Sequence, residues 1–163
     1  HIESQGGDAA ATLRVYDWMT CLRNVRIVTW AEGYVASAGT VLLLAGDQRC
    51  ILPNAVLMIH EVFSETDQSS SARWRCVEAE DDVAYTRMLT TKLCSVYACR
   101  TKIDSQLLTQ LLRRDIPLDA DTSLILGLVT DKVAPVSSSD DCGADRDCVA
   151  SRNDLVKKLI SSS

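Results

Sequence analysis

A serine that follows a strand and a glycine-containing turn and opens a small-residue helix is placed for nucleophilic chemistry. Ser37, in Gly33-Tyr34-Val35-Ala36-Ser37-Ala38-Gly39, stands at such a junction. Its hydroxyl meets the positive end of the helix, and the backbone N–H of Ala38 lies near any negative charge that develops on an attacked carbonyl. Ala36, Ala38 and Gly39 leave room for a substrate. The same pattern also suits a plain helix N-cap, where serine is favoured. Acyl transfer further needs a base, a group that orients the base, and oxyanion donors. The chain has two histidines, and His1 is terminal. His60, closing the apolar run Val56-Leu57-Met58-Ile59-His60, is therefore the candidate base, although a histidine at the rim of a core gives the same pattern. With 22 acidic residues, composition does not choose the orienting acid. Asp115 is a candidate because it follows a helical pattern and precedes Ile116-Pro117, which forces a non-helical exit. A surface aspartate at a helix end reads the same way. Gly6-Gly7 offers flexible backbone whose N–H groups can complete an oxyanion hole or bind a peptide strand.

Positioning these groups requires alternating short strands and helices. Asp8 can cap a helix running to Arg23, with Leu13, Tyr16, Trp18, Met19 and Leu22 recurring on one face. Val25 to Trp30 reads as a strand, and Ala31-Glu32-Gly33 as a turn. Ser37 to Ala45 reads as an apolar helix stopped by Gly46. Cys50 to Leu52 and Val56 to His60 read as two buried strands around a Pro53-Asn54 turn. A long helix is expected from Ala72 to Arg100, with Trp74, Val77, Ala84, Met88, Leu93 and Val96 among its apolar positions and the run Glu78 to Asp82 on a solvated face. Asp104 or Ser105 caps a helix to Arg113. Asp121 to Leu126, closed by Gly127, is a short helix, and Leu128 to Val133 a last strand. The class is α/β, with the site expected near the carboxyl ends of the strands.

The bulk numbers narrow the function. A chain of 163 residues can bury one real core, and 47% hydrophobic with 24% charged residues is an ordinary globular balance. A net charge of −5 argues against a general nucleic-acid binder. No apolar run approaches the roughly 20 residues of a membrane span. From Ala134 the composition turns polar, so residues 1–134 are expected to form the domain and 135–163 a partly helical extension, its last helix starting at Asn153 or Asp154. The seven cysteines follow no framework and contain no C-x-x-C. Buried free thiols are expected, with Cys142 and Cys148 as a possible pair or metal site in the extension. No metal site is otherwise indicated.

Taken in order, four segments resemble the proteolytic subunit of the Clp protease. Ile2-Glu3-Ser4-Gln5-Gly6-Gly7 is similar to the family's I-N-S-P-G-G. Gly33 to Gly46 is similar to G-x-A-A-S-M-G-A-x-L-L-x-A-G. Leu52-Pro53-Asn54-Ala55-Val56-Leu57-Met58-Ile59-His60 is very close to L-P-N-A/S-R-x-M-I-H, and Gly127 to Val133 resembles Y-G-L-I/V-D-x-V. The resemblance covers roughly Ile2 to Val133. It implies a ClpP/crotonase-like superhelix of repeated β-β-α units and a serine endopeptidase with Ser37 as nucleophile, His60 as base and Asp115 as acid. The backbones of Gly6, Gly7 and Ala38 would serve the oxyanion and substrate. It also implies a homo- or hetero-oligomeric ring of related subunits, fed with polypeptide by a ring-shaped ATPase unfoldase. The subunit itself would need no cofactor, ATP being used by the partner. Neither nucleic acid nor membrane is an expected partner. The family, with reduced thiols, points to a mitochondrial matrix or plastid stroma, or to a bacterial cytoplasm. Two departures touch ring pairing. Glu61-Val62-Phe63-Ser64-Glu65 lacks the family's glycine-rich strand, and Arg113-Arg114 replaces an acid-Arg pair, leaving Arg114 as the ring-contact candidate. These departures keep a second reading open, a noncatalytic structural or regulatory subunit of a hetero-oligomer. A crotonase-like acyl-CoA enzyme shares the oxyanion geometry, but the Ser37 and His60 segments point away from it.

Overall fold

The computed structural model describes residues 1–63 and 76–133. The elements run β1 (Ile2–Ser4), α1 (Ala9–Cys21), β2 (Val28–Ala36), α2 (Ala38–Leu44), β3 (Gln48–Ile51), β4 (Val56–Met58), α3 (Cys76–Arg100), α4 (Ser105–Leu112), β5 (Pro117–Leu118), α5 (Ala120–Leu126) and β6 (Asp131–Lys132). The fold is α/β, as the sequence indicates. The expected extension and its helix lie outside the described residues, as do Trp74, Cys142 and Cys148.

β2 is the spine. Ala31 pairs with both Ile2 and Ile51, and Val35 with both Ser4 and Leu57. A strand residue has one neighbour on each edge, so β1 lines one edge while β3 and then β4 share the other, all parallel to β2. β5 adds antiparallel to β4, and β6 parallel to β3. The turn expected at Ala31-Glu32-Gly33 is instead the middle of this nine-residue strand. Gly33 has φ +57, and a Cβ there would meet the Glu3 carboxylate at 2.7 Å. The strand thus bends at a glycine that lets β1 close on it, and the pairing register shifts at this point.

The helices begin where side chains accept orphan N–H groups. Asp8 accepts from Ala11 N at 2.6 Å, Asp104 from Leu107 N at 2.9 Å and Asp119 from Thr122 N at 2.8 Å. The core packs Val35, Val41, Leu44, Ile51, Leu57 and Leu118, all fully buried, between the sheet and the helices. Each contributes about 1.5–3 kcal/mol over an exposed side chain.

Two amphipathic readings need correction. On α1, Ala9, Leu13 and Tyr16 pack on the core, whereas Trp18 is 68% exposed and Leu22 is exposed as well. Positions 9, 13 and 16 share the inner stripe, and positions 15, 18 and 22 fall on the outer one. On α3 the buried stripe is Leu89, Leu93 and Tyr97, while Met88 turns out to solvent. The thiol expectation also holds only in part. Cys50 is buried and Cys94 half-buried, both with burial pushing the thiol pKa up, but Cys21 and Cys99 are exposed. All four are free.

A buried cation closes the fold. Arg49 donates to the carbonyls of Leu128 (3.0 Å), Gly127 (3.1 Å), Arg100 (3.2 Å) and Gly46 (3.4 Å). Arg100 donates in turn to Leu44 (2.9 Å) and Gly46 (2.6 Å). The carboxyl ends of α2, α3 and α5 thus meet two guanidinium groups, which complement their negative ends. Burial, and secondarily Arg100, lower the Arg49 pKa from its ordinary value.

Candidate active site

Ser37 connects β2 to α2 with φ 53 and ψ −127. This is the first central position of a type II′ turn, a conformation that glycine normally supplies. Its side chain makes no cap hydrogen bond. The cap reading therefore fails: the hydroxyl is not committed to its own helix and is presented on a strained strand-to-helix turn, as nucleophilic serines are. Such strain costs about 1–3 kcal/mol and persists only where the surroundings fix it.

Three neighbouring residues fix it. Ser37 N–H donates to Met58 O at 2.8 Å, which joins the turn to the end of β4. Ser37 C=O accepts from Thr40 N–H (3.0 Å) and from the Thr40 hydroxyl (2.6 Å). Gly6 packs against the side chain, since a Cβ on Gly6 would lie 2.5 Å from Ser37 Cβ and 3.0 Å from its Oγ.

Strand register brings the other two groups in. Ala36 pairs with Met58, so Ser37 and His60 leave the carboxyl ends of adjacent parallel strands. His60 lies just past β4 rather than inside it, and Glu61 N–H donates to Leu112 O at 2.9 Å, tying that exit to α4. Met58 also pairs with Pro117 on antiparallel β5. Carried two residues outward, that register sets Asp115 opposite His60. His60 Nδ1 and Asp115 Oδ1 are 3.7 Å apart. That is ion-pair range, and about 0.8 Å of approach would give a hydrogen bond. The His60 side chain is 15% exposed and that of Asp115 68%. Phe63 meets the imidazole edge-on, with ring centroids 5.3 Å apart.

A cleft of about 600 Å³ joins these parts and is lined by Ser37, Ala38, His60, Gly6 and Gly7. Its volume falls within the roughly 300–1,000 Å³ of ligand sites. Gln5, which stands at the proline position of the family segment, lines it as well. The opposite wall is one face of α3: Asp82, Tyr85, Thr86, Leu89, Leu93 and Tyr97. Asp82 belongs to the run read as a solvated face, yet it is half-buried in this wall. Asp8, Glu61 and Asp82 line the cleft, and no lysine or arginine does among the described residues. Such a lining disfavours phosphate-bearing ligands.

The backbone groups expected to serve an oxyanion resolve unevenly. Gly6 N–H is already donated to Ser4 Oγ at 3.1 Å, so its role is close packing against Ser37. Gly7 faces open cleft, with nothing within 4 Å of where its Cβ would be. Ala38 opens α2, where a backbone N–H has no intrahelical partner. Gly7 and Ala38 are therefore the available pair. Arg114 is exposed in the turn after α4, beside Asp115 and outside the cleft lining. No group of side chains able to hold a metal occurs among the described residues, and none of their helices is long and apolar enough to cross a membrane.

Fold and site define a class: an α/β protein with serine, histidine and an acid gathered at the ends of adjoining strands. The Clp protease family model matches residues 1–136, and the chain belongs to that family. It is similar in structure to a point mutant of ClpP1 from Listeria monocytogenes, with TM-score 0.70 and 23% identity over 83% of this chain and 72% of that one. By family the chain is a Clp-type peptidase subunit.

Proposed function

We propose that the protein is a serine endopeptidase subunit of an ATP-dependent Clp-type protease, cutting unfolded polypeptides or peptides inside a ring chamber. The observation that carries this reading is the strained, uncapped Ser37, which lines the same cleft as His60. Ser37 Oγ attacks the peptide carbonyl, and His60 takes its proton and returns it to the leaving amine. Asp115 steadies the imidazolium. Gly7 and Ala38 N–H groups stabilise the oxyanion, each worth about 3 kcal/mol in the transition state. The subunit itself uses no cofactor, ATP being hydrolysed by the partner unfoldase. Related subunits complete the ring, with Arg114 at a contact between rings. An organelle matrix or stroma is the proposed location, with a bacterial cytoplasm as the alternative.

The exposure of Asp115 and its 3.7 Å gap from His60 favour a second reading, a noncatalytic subunit of a hetero-oligomer. Labelling of the assembled complex with a fluorophosphonate decides between them. The first reading expects a label that Ser37→Ala abolishes. An assembled complex without Ser37-dependent label supports the second.

A further inference from the structure

A conformation that costs free energy has to be held by something. At Ser37 the hold continues beyond the adjacent residues. The Thr40 hydroxyl has one proton, and it goes to Ser37 O at 2.6 Å. Thr40 Oγ1 also lies 2.6 Å from Tyr97 Oη. With the threonine proton already used, the tyrosine must be the donor. The chain therefore has one direction, from Tyr97 O–H to Thr40 Oγ1 and from Thr40 O–H to the Ser37 carbonyl. Thr40 is 0% and Tyr97 1% exposed, so water does not compete for either link. Burial raises the pKa of the Tyr97 phenol, which keeps its proton available to donate. Linked hydroxyls in a dry environment reinforce one another.

We infer that Thr40 and Tyr97 are positioning residues, whose coupled hydroxyls clamp the Ser37 carbonyl and so hold the turn that presents the nucleophile. The inference rests on Ser37 being that nucleophile. Tyr97 adds a further consequence, because it belongs to the α3 face that forms the cleft wall. Nucleophile and wall are set against each other through two hydroxyl groups.

The test uses the full chain in its assembly, with fluorophosphonate labelling rates and peptide hydrolysis. Thr40→Val and Tyr97→Phe should lower both the labelling rate and kcat by roughly tenfold to a hundredfold with KM unchanged, as expected when a reacting group is misplaced by a fraction of an ångström. Thr40→Ser keeps the hydroxyl and should restore both to within about twofold. Leu126→Ala, a core change away from the cleft, should lower the thermal midpoint yet label at the wild-type rate. If Thr40→Val does not fold, Tyr97→Phe, which removes one oxygen and keeps the ring, carries the test. Wild-type rates in folded Thr40→Val and Tyr97→Phe would overturn the clamp and leave the reading of Ser37 standing. A wild-type protein that never labels would overturn both.

Discussion

Ser37 and Asp115 share an uncommon backbone, with φ 53 and φ 48, and differ in almost everything else. Ser37 is held by Met58 O, by both donors of Thr40 and by Gly6 against its side chain. Asp115 stands in an exposed turn, its carboxylate 68% open to water and 3.7 Å from its histidine. An aspartate tolerates positive φ better than most residues, so that turn stores little strain. The difference shows which half of the site the fold preorganises. On the proposed roles, the attacking end is built into sheet register and core packing, while the acid end depends on one surface side chain.

The largest effect expected from breaking this contrast is at Ser37 itself. Ser37→Ala keeps the Cβ and the turn, and should reduce peptide hydrolysis by at least about 10³-fold with no loss of folded protein. Steady-state hydrolysis with circular dichroism checks both parts. Gly6→Ala comes next. Its methyl group would sit 2.5 Å from Ser37 Cβ at φ +108, so the attacking end should be displaced. We expect about 2–4 kcal/mol of destabilisation in denaturant unfolding, from overpacking and backbone strain together, along with loss of labelling. Asp115→Ala should be milder, with stability unchanged within about 0.5 kcal/mol, as for a surface site. Its kcat should fall by about 10–10²-fold, less than for the buried acid of a complete triad. A loss equal to that of His60→Ala would erase the contrast. The smallest effect needs no substitution. In hydrogen exchange the Ser37 amide, bonded to Met58 O, should exchange with the core, and the Asp115 turn near the rate of local fraying. Equal protection of the two would show that the turn is held by more than the contacts described.

The sequence was most legible where chemistry and local pattern coincide. Ser37 and His60 stood out as candidates at a turn-to-helix junction and at the end of an apolar run, and the family resemblance chose them over a plain cap and a rim histidine. Asp8 and Gly127 could be read as a helix start and a helix stop. What stayed hidden depends on pairing between distant segments. β5 is two residues long and carries no alternation, yet its register with β4 is what brings Asp115 to His60. Thr40 reads as one more helical residue until Tyr97, 57 positions away, is placed on it. A signal for Tyr97 did exist, because Leu89, Leu93 and Tyr97 recur at the spacing of a buried helical stripe. Gly33 misled in the opposite sense. A glycine with positive φ signals a turn, but here it relieves a close approach inside a strand. Arg49 gave no local sign of burial, since its partners are carbonyls at the ends of three helices.

That arginine knot turns α3 into a cantilever. Its final turn is clamped by Arg100 and Arg49 against the ends of α2 and α5, and Tyr97 is bolted to Thr40 just before it. Towards Asp82 the helix is more open, with Val83, Tyr85 and Met88 about half exposed. Tyr97 therefore joins that anchored end to the cleft wall and, through Thr40, to the Ser37 turn. One phenol is the keystone at which helix end, cleft wall and turn meet.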